Sequence, residues 1–211
     1  MKNEGCLTKV RLGEGLNDIE LKQCKSVIAE FGEVFEPLNG KPADLPKYYV
    51  KLVDGAKPFR AKYRSFGASK QRFFEDEIAL WRNLNLIEPC LDSEWAAAPV
   101  ITLKHSGDYR LCYDFGPLNK YTVRNANSPP HVPDFLTFVS GKRYKACFDM
   151  ARGYHQIPLD ESSRDLMAIN APAGLYRPTR LMFGVTNGPC FLSSSNIRIV
   201  GTNEKCCTKF H

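Results

Sequence analysis

The run YKACFDMARGYHQIPL, Tyr144 to Leu159, decides how the chain is read. Residues 144–149 read as a strand, in which the apolar run Ala146-Cys147-Phe148 delivers one carboxylate, Asp149. A Gly-Tyr-His-Gln turn follows, Gly153 to Gln156, and then a second apolar step, Ile157-Pro158-Leu159. A carboxylate at the end of a buried strand is costly unless it is paired or binds a cation. Asp149 therefore predicts a partner that the rest of the sequence has to supply.

Downstream, Met167 to Asn170 and Leu175 to Leu181 read as a hairpin around Ala173-Gly174, with Pro178 and Arg180 weakening the return strand. Phe183 to Pro189 is a glycine-rich turn. Upstream, Asp134 to Val139 starts a short helix that stops at Gly141, and Asp114 to Pro133 is rich in turn residues. Pro99 to Tyr113 reads as a second β-hairpin, turning at His105-Ser106-Gly107-Asp108. Lys104 and Arg110 flank that turn. Cations so placed can clamp a phosphate chain, Arg through its bidentate fork, or can simply solvate the surface.

Further out, Ser69 is placed to cap a helix over 70–85 with Phe74, Ile78, Trp81 and Leu84 on one stripe, ended by Glu88-Pro89. The preceding stretch, 57–70, is the most basic. It holds Lys57, Arg60, Lys62, Arg64 and Lys70, with Phe59, Tyr63 and Phe66 interleaved and no acid. That mixture suits a nucleic-acid backbone with stacking bases. It suits equally a solvated arm whose aromatics tuck into the domain. Tyr48 to Val53 reads as a strand closed by Asp54-Gly55, and residues 36–47, with Pro37, Gly40, Pro42 and Pro46, as an irregular linker. Asn17 and Glu20 have capping-box spacing and open a helix over 18–31, with Leu21, Cys24, Ile28 and Phe31 on one face and Gly32 as its stop.

The 211 residues suffice for one large domain or two small ones. At 43% hydrophobic and 11% aromatic, the chain can bury a core and is not compositionally disordered. Lys plus Arg is 29 against 23 Asp plus Glu, a net charge of +6, which is compatible with a polyanionic partner without requiring one. No apolar run approaches the ~18 residues of a membrane span, so no membrane partner is expected. No signal-peptide core follows Met1, so an intracellular setting, cytoplasm or nucleus, is expected. The eight cysteines include no Cys-x-x-Cys pair and read as free thiols. Residues alone thus give a basic α+β domain with one awkward carboxylate.

The motifs in order say more. Tyr109-Arg110-Leu111-Cys112-Tyr113-Asp114-Phe115 with Leu118-Asn119-Lys120 is similar to the pattern Trp-Arg-x-Cys-x-Asp-Tyr-Arg-x-Leu-Asn. Phe148 to Ile157 is similar to Leu-Asp-Leu-x-x-Gly-Tyr-His-Gln-Ile, and Phe183 to Pro189 to Phe-Gly-Leu-Thr-Asn-Ala-Pro. Glu33-Val34-Phe35, Asp54 to Pro58, Leu86 to Pro89, Trp95 and Pro99-Val100 fit the same series. Over residues 30–191 the chain resembles the reverse transcriptase of gypsy-type LTR retrotransposons. The resemblance implies a right-hand polymerase fold, fingers plus incomplete palm. Its parts would be an N-terminal helix and linker over 1–57, fingers and partial palm over 58–191, and a divergent tail over 192–211.

The resemblance also implies roles. Nucleotidyl transfer uses two divalent cations roughly 3.5–4 Å apart to hold the attacking and leaving oxygens. Asp149 would be the first Mg²⁺-binding aspartate, with the Met150 carbonyl beside it. Tyr154 would be the gate beneath the sugar that excludes a 2′-hydroxyl, Lys104 and Arg110 would grip the triphosphate, and Phe183 and Gly184 would help form the nucleotide pocket. Taken singly, Tyr154 and Phe183 read as core. The implied partners are an RNA or DNA primer–template and dNTPs, and a partner polymerase chain stays open as well.

The family's site needs two further, adjacent aspartates in a Tyr-x-Asp-Asp hairpin, and no Asp-Asp occurs in these 211 residues. Gly116 stands where the family usually has Arg, and the turn at Lys104 reads Lys-His-Ser-Gly where the family has Lys-Lys-Asp-Gly. After Phe191 the resemblance stops, and the polar tail reads as out-of-frame or readthrough sequence. The leading expectation is an incomplete retrotransposon polymerase, inactive alone. The alternative is a non-catalytic nucleic-acid-binding remnant. A hydrolase built on His155 with Asp149 or Asp160 lacks a nucleophile motif.

Overall fold

Three side chains on one stripe, Phe74, Ile78 and Trp81, are 0%, 5% and 3% exposed, and they seat the helix on which the larger unit is built. The computed structural model describes residues 10–126, 133, 137, 140–147 and 149–200. The chain divides into two units, residues 1–39 and 40–211. In the first, helix α1, Asp18–Glu30, opens with the expected capping box: Asn17 Oδ1 accepts from the Glu20 amide at 2.9 Å, and Glu20 Oε2 from the Asn17 amide at 2.9 Å. A 3-10 turn, Gly32–Phe35, follows it.

In the second unit, helix α2 spans Ala68–Asn83. It starts two residues earlier than expected. Gly67, with extended backbone, is the cap, and Ser69 lies inside the first turn with its hydroxyl 3.4 Å from the Tyr109 hydroxyl. Asn85, left-handed at φ 52°, turns the chain out of the helix, a conformation Asn tolerates better than most residues. Glu88-Pro89 does not merely stop the segment. It belongs to strand β1, Ile87–Pro89.

Strand β2, Ala98–Leu103, and strand β3, Tyr109–Asp114, form the expected hairpin, in register from Ala98 opposite Asp114 to Leu103 opposite Tyr109. Short helices α3, Gly116–Asn119, α4, Gly153–Gln156, and α5, Glu161–Arg164, punctuate the loops that follow. Strand β4, Ile169–Ala171, and strand β5, Gly174–Pro178, form the second hairpin, and helix α6 runs Gly188–Val200, across residue 192. The sheet order is β1-β5-β4, all antiparallel, so β5 is central. Pro178 ends β5 and Arg180 lies beyond it, so neither interrupts the strand, while Arg177 within it pairs across to Glu88 at 2.7 Å. Arg180 donates to the Gly40 carbonyl at 2.8 Å. The two sheets are joined through Ala97, whose amide donates to Ala168 O at 2.8 Å and whose carbonyl accepts from Asn170 at 3.1 Å.

Two expected strands do not form among the described residues. Residues 48–53 are extended but make only isolated bridges, Tyr48 to Leu159 and Leu52 to Thr122, because the Val50 amide between them is spent on the buried Ser163 hydroxyl at 2.8 Å. Residues 144–147 and Asp149 are irregular and exposed, so Asp149 does not end a buried strand. Phe148, most of the short helix expected over 134–139, and the Cys206-Cys207 pair lie outside the described residues. The core is made by Phe74, Leu86, Ile157, Leu159, Met167, Ile169, Leu181 and Met182. No helix among the described residues is long and apolar enough to cross a membrane.

Candidate functional site

The Gly153–Gln156 turn and the Phe183–Pro189 loop meet face to face. The rings of Tyr154 and Phe183 lie 4.3 Å apart at 47°, and His155 lies 6.1 Å from Phe183. The turn begins at Arg152, a left-handed residue at φ 49° and ψ 45°. A side-chain-bearing residue adopts that region at a cost of roughly 1–2 kcal/mol. Its side chain reaches α2: Arg152 Nη1 lies 2.9 Å from Glu77 Oε1, the same oxygen that accepts the Trp81 indole N–H at 2.7 Å. Trp81 in turn meets the His155 ring edge-on at 5.2 Å.

His155 is buried, and neither ring nitrogen has a hydrogen-bond partner among the described residues. Burial, and then the Arg152 charge, push its pKa down to about 4. Burial also raises the Tyr154 phenol, so it is neutral near pH 7. Asp160, the other candidate partner for His155, caps α5 and accepts from the Ser162 amide at 3.0 Å and its hydroxyl at 2.6 Å. The described residues therefore assemble no His–Asp pair for hydrolysis.

Asn119 pins the loop that carries Phe183 and Gly184. Its side-chain amide donates to Gly184 O at 2.7 Å and accepts from the Thr186 N–H at 2.9 Å. Gly184 needs its missing side chain, since φ is +94° and a Cβ would lie 3.2 Å from Tyr113 O. Asn187 ties the far side, donating to Val123 O at 2.8 Å and accepting from the Asn125 amide at 3.1 Å. Asn119 and Asn187 lie inside the matched motifs, but residue type and spacing do not say what they hold. Asn119→Ala is expected to cost about 2 kcal/mol in urea denaturation, through two lost hydrogen bonds and a stranded Thr186 N–H. A loss below about 0.5 kcal/mol, the scale of ordinary surface changes, would show that the loop holds without it.

Lys104 and Arg110 line one cleft of about 290 Å³, together with Thr102, Leu103 and His105. The hairpin register explains this, since Arg110 is opposite Thr102 and Lys104 follows β2 directly. In the basic arm, Lys57, Arg60, Lys62 and Arg64 are all exposed. The arm is held by its backbone, with Ala61 N–H donating to Ala96 O at 2.8 Å and Ala96 N–H to Phe59 O at 2.9 Å. Of its aromatics, Phe66 packs edge-on against Phe74, while Phe59 and Tyr63 remain 44% and 42% exposed. The arm thus tucks Phe66 into the domain and leaves these four cations exposed.

Asp149 stands apart from any such grouping. It is exposed, and Met150, half-buried, packs where a Gly153 side chain would go. Among the described residues no three His, Cys, Asp or Glu side chains gather to hold a metal ion. One exposed carboxylate and a neighbouring carbonyl do not make a site for two hard divalent cations, so these residues do not fit a complete Mg²⁺ centre.

No family model matches the chain. The enzymatic polyprotein of Cauliflower mosaic virus (strain D/H) is 30% identical over 146 residues, 68% of this chain and 22% of the polyprotein. The retrovirus-related Pol polyprotein from transposon 412 of Drosophila melanogaster is 26% identical over 228 residues, 92% of this chain and 18% of the polyprotein. The chain belongs to the retroelement Pol family. It spans about a fifth of the length of these Pol-family relatives. Its polymerase-like fold is shared with prototype foamy virus protease–reverse transcriptase, at TM-score 0.76 and 19% identity, over 93% of this chain and 26% of that one. A foamy viral protease–reverse transcriptase in complex with an RNA/DNA hybrid aligns at TM-score 0.73 and 14% identity, over 88% of this chain and 25% of that one. Pol-family membership is consistent with a divalent-metal requirement.

Proposed function

We propose that this chain supplies the fingers and part of the palm of an RNA-directed DNA polymerase whose reaction is templated nucleotidyl transfer from dNTPs. The observation that carries this reading is the contact of Tyr154 with Phe183, 29 residues apart in sequence and 4.3 Å apart between ring centroids. In this reading Tyr154 lies under the sugar, Phe183 and Gly184 form the nucleotide pocket, and Lys104 and Arg110 grip the triphosphate across their shared cleft. Asp149 and the Met150 carbonyl would hold one edge of a Mg²⁺ site. No chemical step is assigned to that edge alone. An intracellular setting, cytoplasm or nucleus, and a partner polymerase chain that completes the site belong to the same proposal.

The 211-residue polypeptide is expected to show no template-dependent incorporation with Mg²⁺ or Mn²⁺, because it contains no adjacent aspartates. A primer-extension assay on the purified polypeptide decides this, and incorporation of a templated nucleotide would overturn it.

A second reading, nucleic-acid binding without catalysis, is favoured by the exposure of Lys57, Arg60, Lys62 and Arg64. It draws support from the nucleic-acid complexes of the structural neighbours. Reversing these four charges to Glu is expected to weaken primer–template binding about tenfold or more near 0.1 M salt. It should also flatten the slope of log K against log salt by about 3, as lost phosphate contacts require. An unchanged slope would show that the arm is not at the interface.

A further inference from the structure

We propose that Glu77 is a positioning residue for the turn that presents Tyr154: it holds Arg152 in the left-handed conformation from which that turn starts. The claim that this tunes sugar selection rests on the reading of Tyr154 as the sugar-contacting residue.

The Arg152 carbonyl accepts the first hydrogen bond of the turn, from the His155 amide at 2.8 Å. The turn's direction is therefore set by the Arg152 backbone. A glycine would take φ 49° without penalty, whereas an arginine has to be held there. The ion pair at 2.9 Å does so, from a Glu77 side chain only 18% exposed. Because Glu77 Oε1 also receives the Trp81 indole at 2.7 Å, the anchor is fixed to a buried residue of α2 rather than to a mobile surface chain.

The other side of the turn has little slack. A Cβ on Gly188 would lie 3.1 Å from Tyr154 Cε1, so the Tyr154 ring fills the space beside that glycine while touching Phe183. A rotation of the turn about Arg152 must therefore move the Tyr154 ring against Phe183. Glu77, on the helix after the basic arm, thus sets the geometry of a turn that starts at Arg152, 75 residues further along the chain.

The test uses the whole 211-residue chain as wild type, Glu77→Gln, Arg152→Gly and the double variant. The first readout is hydrogen exchange at the His155 and Ile157 amides, both bonded within the turn. The second is the ratio of dATP to ATP affinity in the presence of a primer–template. Glu77→Gln is expected to speed exchange at those two amides about tenfold, as loss of a charge-assisted hydrogen bond implies, leaving the β2–β3 amides unchanged. It is also expected to lower the dATP:ATP ratio about fivefold. In the Arg152→Gly background, where the backbone no longer needs holding, Glu77→Gln should change neither readout. Unchanged exchange in Glu77→Gln, equal acceleration across α2 and the β2–β3 hairpin, or an undiminished effect in the Arg152→Gly background would each overturn the proposal. If the turn responds as expected but wild type does not distinguish dATP from ATP, the positioning role stands and the sugar-contact reading of Tyr154 fails.

Discussion

Trp81→Ala is expected to lower the stability of the larger unit by about 3–5 kcal/mol, the range for truncating a buried large aromatic residue. Trp81 is 3% exposed, lies 5.2 Å from His155 and 6.2 Å from Tyr113, and donates its indole N–H to Glu77. Alanine at 81 leaves a cavity beneath both the hairpin strand β3 and the Gly153–Gln156 turn. It also takes one of the two donors from Glu77. Domains of this size are stable by about 5–15 kcal/mol, so the loss is a large share of the total. With a urea slope of about 1–3 kcal/mol per molar, the midpoint should fall by about 2 M. Trp81→Phe keeps an aromatic ring but not the N–H, and is expected to cost about 1–2 kcal/mol. Equilibrium urea denaturation followed by circular dichroism reads both. An alanine variant within about 1 kcal/mol of wild type would mean that the α2 stripe does not carry this part of the core.

The features that could be read from sequence are those fixed by near neighbours. Asn17 and Glu20 three residues apart make a capping box wherever a helix starts after them, and they do. The stripe of Phe74, Ile78 and Trp81 identifies the buried face of α2 without naming what covers it. Turn residues at 105–108 and 173–174 located both hairpins. Failures came where the outcome depends on a distant partner. A strand needs a ladder, and the apolar run before Asp149 has none among the described residues, so Asp149 is exposed. Residues 48–53 have two partial partners and no continuous one. The family motifs brought Tyr154, Phe183 and Gly184 to one place, and Lys104 with Arg110 to another. The residues that hold those places were not legible. Asn119 reaches 65 residues to Gly184, and Glu77 reaches 75 to Arg152. Of the Glu77 node, only the bond to Trp81 could have been suggested locally, by its i,i+4 spacing on a helix.

Acidification from pH 6.5 to pH 4 is expected to destabilise the chain by about 3 kcal/mol through His155 alone. The folded-state pKa is about 4 against 6.5 for the free side chain, lowered first by burial and then by the Arg152 charge. The sign follows from proton counting. Between these two values the unfolded chain binds a proton that the folded chain refuses, so stability falls as pH falls, and the loss levels off below the folded-state value. The groups around the ring offer no relief. Trp81, Phe183 and Tyr154 are aromatic, Arg152 is a like charge, and no described residue hydrogen-bonds either nitrogen. Asp160, held below its usual 3.8 by the Ser162 hydroxyl and amide, contributes stability that is lost only as pH falls past that value. In the window from 6.5 to 4, the difference between wild type and His155→Phe isolates the share of the slope that belongs to His155. His155→Phe should reduce the slope in that window by the His155 share and, by replacing two unpaired buried nitrogens, should not weaken the fold at pH 7. Thermal melts of both proteins at half-unit pH steps give the comparison. Parallel curves for wild type and His155→Phe would show that the His155 ring is not the buried, neutral group between Trp81 and Phe183.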